Sequence, residues 1–169
     1  ITRKLLELEE LPAVMHSIAE GIVVNIGYDM ALAARYVPAE RVLTGFVIYP
    51  PDLETLMDQY LGGSPKGALW DRKLNCTPGQ NPVLDRVFQG EMHVGDSLGP
   101  FISNWLSAPN AREIQERTGR KGYVLLPMQV KGETVGVILA GWNNNARDLY
   151  RMRSAFGRVA DQAAVAVKS

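Results

Sequence analysis

The stretch GYVLLPMQVKGETVGVILAGW, Gly122–Trp142, decides how the chain is read. Two apolar runs flank a polar tip, Lys131-Gly132-Glu133. Gly132 suits the positive φ of a tight turn, so the segment reads as a β-hairpin. Neither arm shows the clean polar–apolar alternation of a sheet with one wet face. A helical pattern follows from Leu149 to Lys168, in which Met152, Phe156, Val159, Ala163 and Ala166 recur in steps of four and three. That is the seam spacing of a coiled coil or tight bundle. Ala155, Ala160, Ala164 and Val167 widen the stripe, and the small residues let a partner surface approach closely.

Working outward, the first 27 residues carry a similar stripe, Leu8, Leu11, Met15, Ile18 and Ile22. Pro12 either opens a new helix there or kinks a continuous one, and Gly27 is a stop. Tyr28–Val37 and Arg41–Tyr49 read as two strands joined around Pro38-Ala39-Glu40. Pro50-Pro51-Asp52 ends the second strand and starts a helix with Asp52 as its N-cap and Leu53, Leu56, Met57, Tyr60 and Leu61 as its apolar face. Residues 62–80 are rich in Gly and Pro and read as loops with one helical turn. Asn81-Pro82 opens a short helix to Gln89, with Asn81 capping, and Gly90 ends it. Glu91–Val94 is a short strand, and Pro109–Thr118 a helix closed by Gly119. Asn143-Asn144-Asn145 is a turn or capping cluster. Hairpins flanked by helices, without regular strand–helix alternation, give an α+β fold.

Composition narrows the function classes. The chain has 169 residues, enough for one domain with a sizeable core, and 46% of them are hydrophobic. Basic and acidic residues number 18 each. That balance argues against nucleic acid and an anionic membrane as partners. The densest basic group, Arg147, Arg151, Arg153 and Arg158, reads as the solvated face of a helix. No apolar run approaches the roughly 18 residues of a membrane span, and the single cysteine, Cys76, fits a reducing compartment. The segment begins and ends within helical patterns and reads as part of a longer polypeptide.

In element order, the chain resembles a GAF domain, the small-molecule sensory module of signalling proteins. LLPMQVKGETVGVILAG, from Leu125 to Gly141, is similar to the family's signature. The Phe156 to Ala166 segment resembles its closing helix, and VLDRVFQGEMHVGD, Val83–Asp96, its mid-domain helix and short strand. The resemblance implies one domain over residues 1–169. Its central antiparallel sheet has five to six strands; residues 28–142 form the sheet and a segment covering a ligand pocket. Terminal helices, 1–27 and 149–168, lie on the opposite face. Burial of both faces would explain the continuous apolar runs.

Chemistry-bearing residues are sparse. One cysteine and two histidines, His16 and His93, do not supply a zinc site, and no GxSxG elbow or P-loop is present. Gly62-Gly63-Ser64-Pro65-Lys66-Gly67 has the wrong spacing for a phosphate loop. Cys76 is followed by Thr77-Pro78-Gly79 rather than histidine, a departure from family members that hold a bilin covalently, and it lacks a second thiol for sulfoxide reduction. The cyclic-nucleotide motif of some relatives has no counterpart. His93 reads as a core or pocket histidine, with a haem ligand as the alternative. The candidate ligand-binding residues are Phe46, His93, Asp96, Phe101, Trp105 and Tyr123, with Trp70 and Arg112 as further possibilities; the same aromatics could equally just fill space. No catalytic residue, metal ligand or cofactor is assigned. The expected function is a non-catalytic, cytoplasmic sensory domain of a larger protein, such as a sensor histidine kinase of a two-component phosphorelay. It would bind an unknown small molecule, form a homodimer through its terminal helices and signal to adjacent domains. The alternative is a dimerisation and relay module with a filled pocket.

Overall fold

A computed structural model describes residues 2–61, 68–144 and 149–168, with the side chains of 10–61, 69–144 and 151–168. The loop reading of 62–67, together with Leu8 in its stripe, Asn145 and Arg147, lies outside that description. Helix α1 runs from Thr2 to Gly21 without interruption at Pro12. It widens into a π-helical turn, Ile22–Ile26, and stops at Gly27, whose φ is 106°. Strands β1 (Met30–Val37) and β2 (Val42–Tyr49) follow, then helices α2 (Asp52–Tyr60) and α3 (Ala68–Asp71) and the two-residue strand β3 (Leu74–Asn75). Helix α4 (Pro82–Phe88), strand β4 (His93–Gly95), a 3-10 turn at Gly99–Phe101 and helix α5 (Ala108–Thr118) complete the middle segment. The chain ends with strands β5 (Gly122–Val130) and β6 (Glu133–Trp142) and helix α6 (Leu149–Lys168).

The six strands among the described residues lie in one antiparallel sheet of order β3-β2-β1-β6-β5-β4. The deciding hairpin forms as read: Lys131 and Gly132 have φ of 51° and 80°, the two positive values of a type I′ turn. Alternate residues of each arm go to opposite cores. Tyr123, Leu125, Val137 and Leu139 face the middle segment. Val124, Leu126, Met128, Ile138, Ala140 and Trp142 face the terminal helices. Both faces are therefore dry, which is why neither arm alternates in polarity. The fold is α+β, as expected, and the two terminal helices share one face. Met15, Ile18, Ala19 and Ile22 from the N-terminal side meet Phe156, Ala160, Ala163 and Ala164 of α6 there. The expected seam is only partly buried: Val159 is half-buried and Ala166 exposed, while Ala160 and Ala164 complete the packed stripe.

Three local readings are corrected. Asp52 does not cap α2; it lies inside the first turn, Pro51 holds the cap position, and no side chain bonds the end. The segment before Cys76 contains β3, which pairs Leu74 with Leu43 and Asn75 with Val42. The short strand after α4 starts two residues later than Glu91 because Gly90, at φ 100°, turns the chain and Glu91 N–H still bonds back to the Arg86 carbonyl. At α4 the sequence reading holds: Asn81 Oδ1 accepts from Leu84 N–H at 3.0 Å, with Pro82 at the first helical position.

Candidate functional site: a filled core and a polar cleft at its mouth

The middle segment packs its apolar residues on β1, β2, β5 and β6. Asn81, 2% exposed, ties this cover together: its Nδ2 donates to the Phe101 carbonyl at 3.1 Å and to Asn104 Oδ1 at 3.0 Å. Gln115 fixes the loop before the 3-10 turn. Its Oε1 accepts from Leu98 N–H at 2.9 Å, and its Nε2 donates to the Asp96 and Arg120 carbonyls.

Four of the sequence candidates meet under this cover. Phe46 and Trp105 stack at 4.6 Å between ring centres. Phe101 lies 5.9 Å from Tyr123 and 5.2 Å, edge-on, from His93. His93 is half-buried on the edge strand β4, beside Leu125. Asp96 is not part of the site. It is exposed, and it reaches the interior only through its backbone carbonyl, because the turn after β4 points its carboxylate to solvent. Arg112 is exposed on the outer face of α5, and Trp70 packs with the terminal-helix core, near Gly45. The aromatics nearly fill the interior. Among the described residues two apolar voids lie there, each about 40 Å³, one against Tyr123 and Met57, the other against Phe46 and Trp105. Leu32, Ile102 and Leu139 border both. Such a void admits a water or a methyl group or two and is far below the roughly 300 Å³ of a typical ligand pocket.

A larger opening lies at the edge of the first void, between α2 and the end of α5. It is a solvent-open cleft of about 530 Å³ lined by Asp29, Asp52, Gln59, Arg117, Thr118, Arg120 and Asn143, among others. Leu53, Leu56, Thr118 and Arg120 border both spaces. Arg120 is the residue that sequence reasoning missed. In GRKG it looks like a surface cation, yet it is only 9% exposed. Its Nη1 donates to Asn143 Oδ1 at 2.8 Å, and among the described residues it forms no ion pair. Burial weakens its hold on the proton, partly opposed by Tyr123, Asp29 and Asp52. Tyr123, 2% exposed, has its hydroxyl pushed up to about 12 by the same burial. Arg117 donates from Nη1 to Gln59 Oε1 at 3.1 Å and Tyr60 Oη at 3.0 Å.

Asn143 joins the cleft to both chain ends. Its N–H donates to Asp29 Oδ2 at 2.7 Å and its Nδ2 to the Thr118 carbonyl at 3.2 Å. Asp29 lies between the N-terminal helix and β1, and Asn143 between β6 and α6. The Arg120–Asn143–Asp29 chain of hydrogen bonds therefore ties the cleft to the two connections that lead into the terminal helices.

Cys76 is half-buried, its thiol pushed up to about 11 by burial, so it is a poor nucleophile at neutral pH. Among the described residues no cluster of three or more His, Cys, Asp or Glu is placed to hold a metal, and no helix is long and apolar enough to cross a membrane.

The fold is that of a GAF domain. The chain is similar to the GAF domain/HD domain protein of Geobacter sulfurreducens, with a TM-score of 0.63, 12% identity and coverage of 94% of this chain and 92% of that one. It is also similar to residues 122 to 287 of a methyl-accepting chemotaxis protein, with TM-score 0.60, 20% identity and coverage of 93% and 86%. The red-light-absorbing state of a red/green cyanobacteriochrome matches with TM-score 0.60, 17% identity and coverage of 94% of each chain. No protein-family model and no curated protein matches the sequence.

Proposed function

We propose that this chain is a sensory regulatory domain that takes a small ligand at the cleft between α2 and α5 and passes its presence to α1 and α6. The observation that carries the reading is the Arg120–Asn143–Asp29 linkage. A ligand that competes for Arg120 acts directly on Asn143, and so on both connections into the terminal helices. It can shift the domain only by its differential affinity for two arrangements of that linkage. The structural neighbours support a sensory role, since they include a chemoreceptor and a photoreceptor. The bilin of such photoreceptors does not suit this interior, which offers two voids of about 40 Å³ and a protonated, half-buried thiol.

We further propose that the domain is a non-catalytic, cytoplasmic segment, one unit over residues 1–169, of a larger signalling protein such as a histidine kinase, and that it pairs with a second copy through α1 and α6. A groove of about 570 Å³ between these helices, bordered by Ala13, Ser17, Ala163 and Ala166, supports the pairing. Val165 beside it is 60% exposed. A thermal-shift screen of nucleotides, haem, bilins, carboxylic acids and amino acids tests the sensory reading. A saturable rise in Tm that is lost in Arg120→Gln supports it, and silence across every class overturns it.

The filled interior favours a second reading, a dimerisation and relay module without a ligand. Sedimentation separates the two: a tight dimer that ignores every compound supports the relay module, whereas a ligand-dependent association constant supports the sensor.

A further inference from the structure

Charges of both signs border the cleft, and Asp29 and Asp52 act on Arg120 only at a distance, without direct contact. Asp29 and Asp52 stand on one side of the ledger, Arg117 and Arg120 on the other, and among the described residues none of the four forms an ion pair. A largely buried guanidinium without a carboxylate in direct contact is costly unless water or an anion completes it. Arg120 already presents this feature, with one nitrogen spent on a neutral amide and the remaining N–H groups of a planar fork suited to a carboxylate. A simple anion would, however, be repelled by the two aspartates on the same cleft. A neutral molecule would leave both signs unsatisfied. A molecule carrying a carboxylate and an ammonium group a few bonds apart answers both.

An apolar void against Tyr123 adjoins this opening, with Leu53, Leu56, Thr118 and Arg120 forming the wall between them. Its volume, about 40 Å³, sets the size of the third group: a short aliphatic side chain enters, and an aromatic one does not without moving α2. From the balanced charge of the cleft, the unpaired buried Arg120 and the adjoining apolar void, we propose that the site binds a small aliphatic α-amino acid, alanine to valine in size. Its carboxylate lies on Arg120, its ammonium faces Asp29 and Asp52, and its side chain points at Leu53 and Leu56. Binding draws Arg120 away from Asn143. This assignment rests on the sensory reading above and names the ligand class of that cleft.

Isothermal titration and thermal shift on the whole chain test it, with L-alanine, L-valine and L-tryptophan, and with isobutyrate and isobutylamine as probes of each charge alone. L-alanine or L-valine is expected to bind saturably, at least tenfold tighter than isobutyrate, isobutylamine or L-tryptophan. Arg120→Gln should weaken that binding more than tenfold. Asp52→Asn, at an exposed position, should weaken it several-fold and narrow the gap between valine and isobutyrate. Equal binding of isobutyrate and L-valine overturns the amino-acid assignment, as does an affinity untouched by both variants. If a nucleotide or bilin from the wider screen binds while the amino acids are silent, this ligand class falls and the sensory reading stands. Silence of every compound removes both.

Discussion

Tyr28 is buried to 1% exposure between Trp142 and Phe156, with ring centres 6.3 and 5.4 Å away. Among the described residues its hydroxyl has no hydrogen-bond partner. An unsatisfied buried hydroxyl costs on the order of 1 kcal/mol or more, so Tyr28→Phe should leave stability unchanged or raise it by about 1 kcal/mol, measured by urea denaturation. Burial also pushes Tyr28 and Tyr123 up to about 12 from an ordinary 10.0. With the folded value above the unfolded one, this contribution is fully present below pH 10. It is lost as the pH rises through the window up to about 12, by on the order of 2 kcal/mol per tyrosine. Cys76, pushed up to about 11, loses stability in the same window, so Tyr123→Phe should remove roughly a third of the loss between about pH 9.5 and 12, read as the change in denaturation midpoint. An unchanged alkaline slope would mean that Tyr123 ionises as freely in the folded chain as in the unfolded one.

Two elements depend on contacts that single substitutions reach. In β6, Gly136 faces the Met128 side chain and the Ala34 carbonyl oxygen of β1. A Cβ built there would stand 2.5 Å from that oxygen, a backbone atom that cannot rotate away. Gly136→Ala should destabilise by about 2–4 kcal/mol by prising β1 from β6, seen as a fall in Tm with loss of amide protection in both strands. In the cover, Asn81 caps α4 and holds the 3-10 turn through three hydrogen bonds. Asn81→Ala strips the cap and orphans the Phe101 carbonyl, a cost of about 2–4 kcal/mol. Hydrogen exchange should rise in α4 and at Phe101 and stay unchanged in α6; uniform acceleration would show that the cover is not a separable unit.

Across the whole molecule, what the sequence disclosed was what local chemistry enforces. Lys131-Gly132, Asn81-Pro82 and Gly119 each carry a turn or cap requirement in their own side chains, and the hairpin's unbroken apolar arms announce a sheet covered on both sides. What stayed hidden depends on residues arriving from elsewhere. Strand β3 is two residues long and has no periodicity to read; it exists because β2 offers it an edge. Arg120 follows Gly119 at a helix end, where a cation is ordinarily solvated, and becomes buried only because β5 and β6 bring Tyr123 and Asn143 against it. Asp96 misled for the converse reason, since its place beside the short strand says nothing about which way the next turn points its carboxylate. The aromatic candidates were found, yet their spacing could not disclose that they fill the space they surround.

The central claim is that one face of the sheet informs the other through Arg120, Asn143 and Asp29. Amide NMR of the full chain during titration with L-valine tests it most directly. Saturable shifts are predicted first at Arg120, Asn143 and Asp29, with matching midpoints at Phe156 and Ala160 on α6 and at Met15 and Ile18 on α1; Asn143→Ala, which removes the amide that accepts from Arg120, should abolish the shifts on the helices while those in the cleft persist. Shifts confined to the cleft, with the terminal helices silent at saturation, would contradict the account.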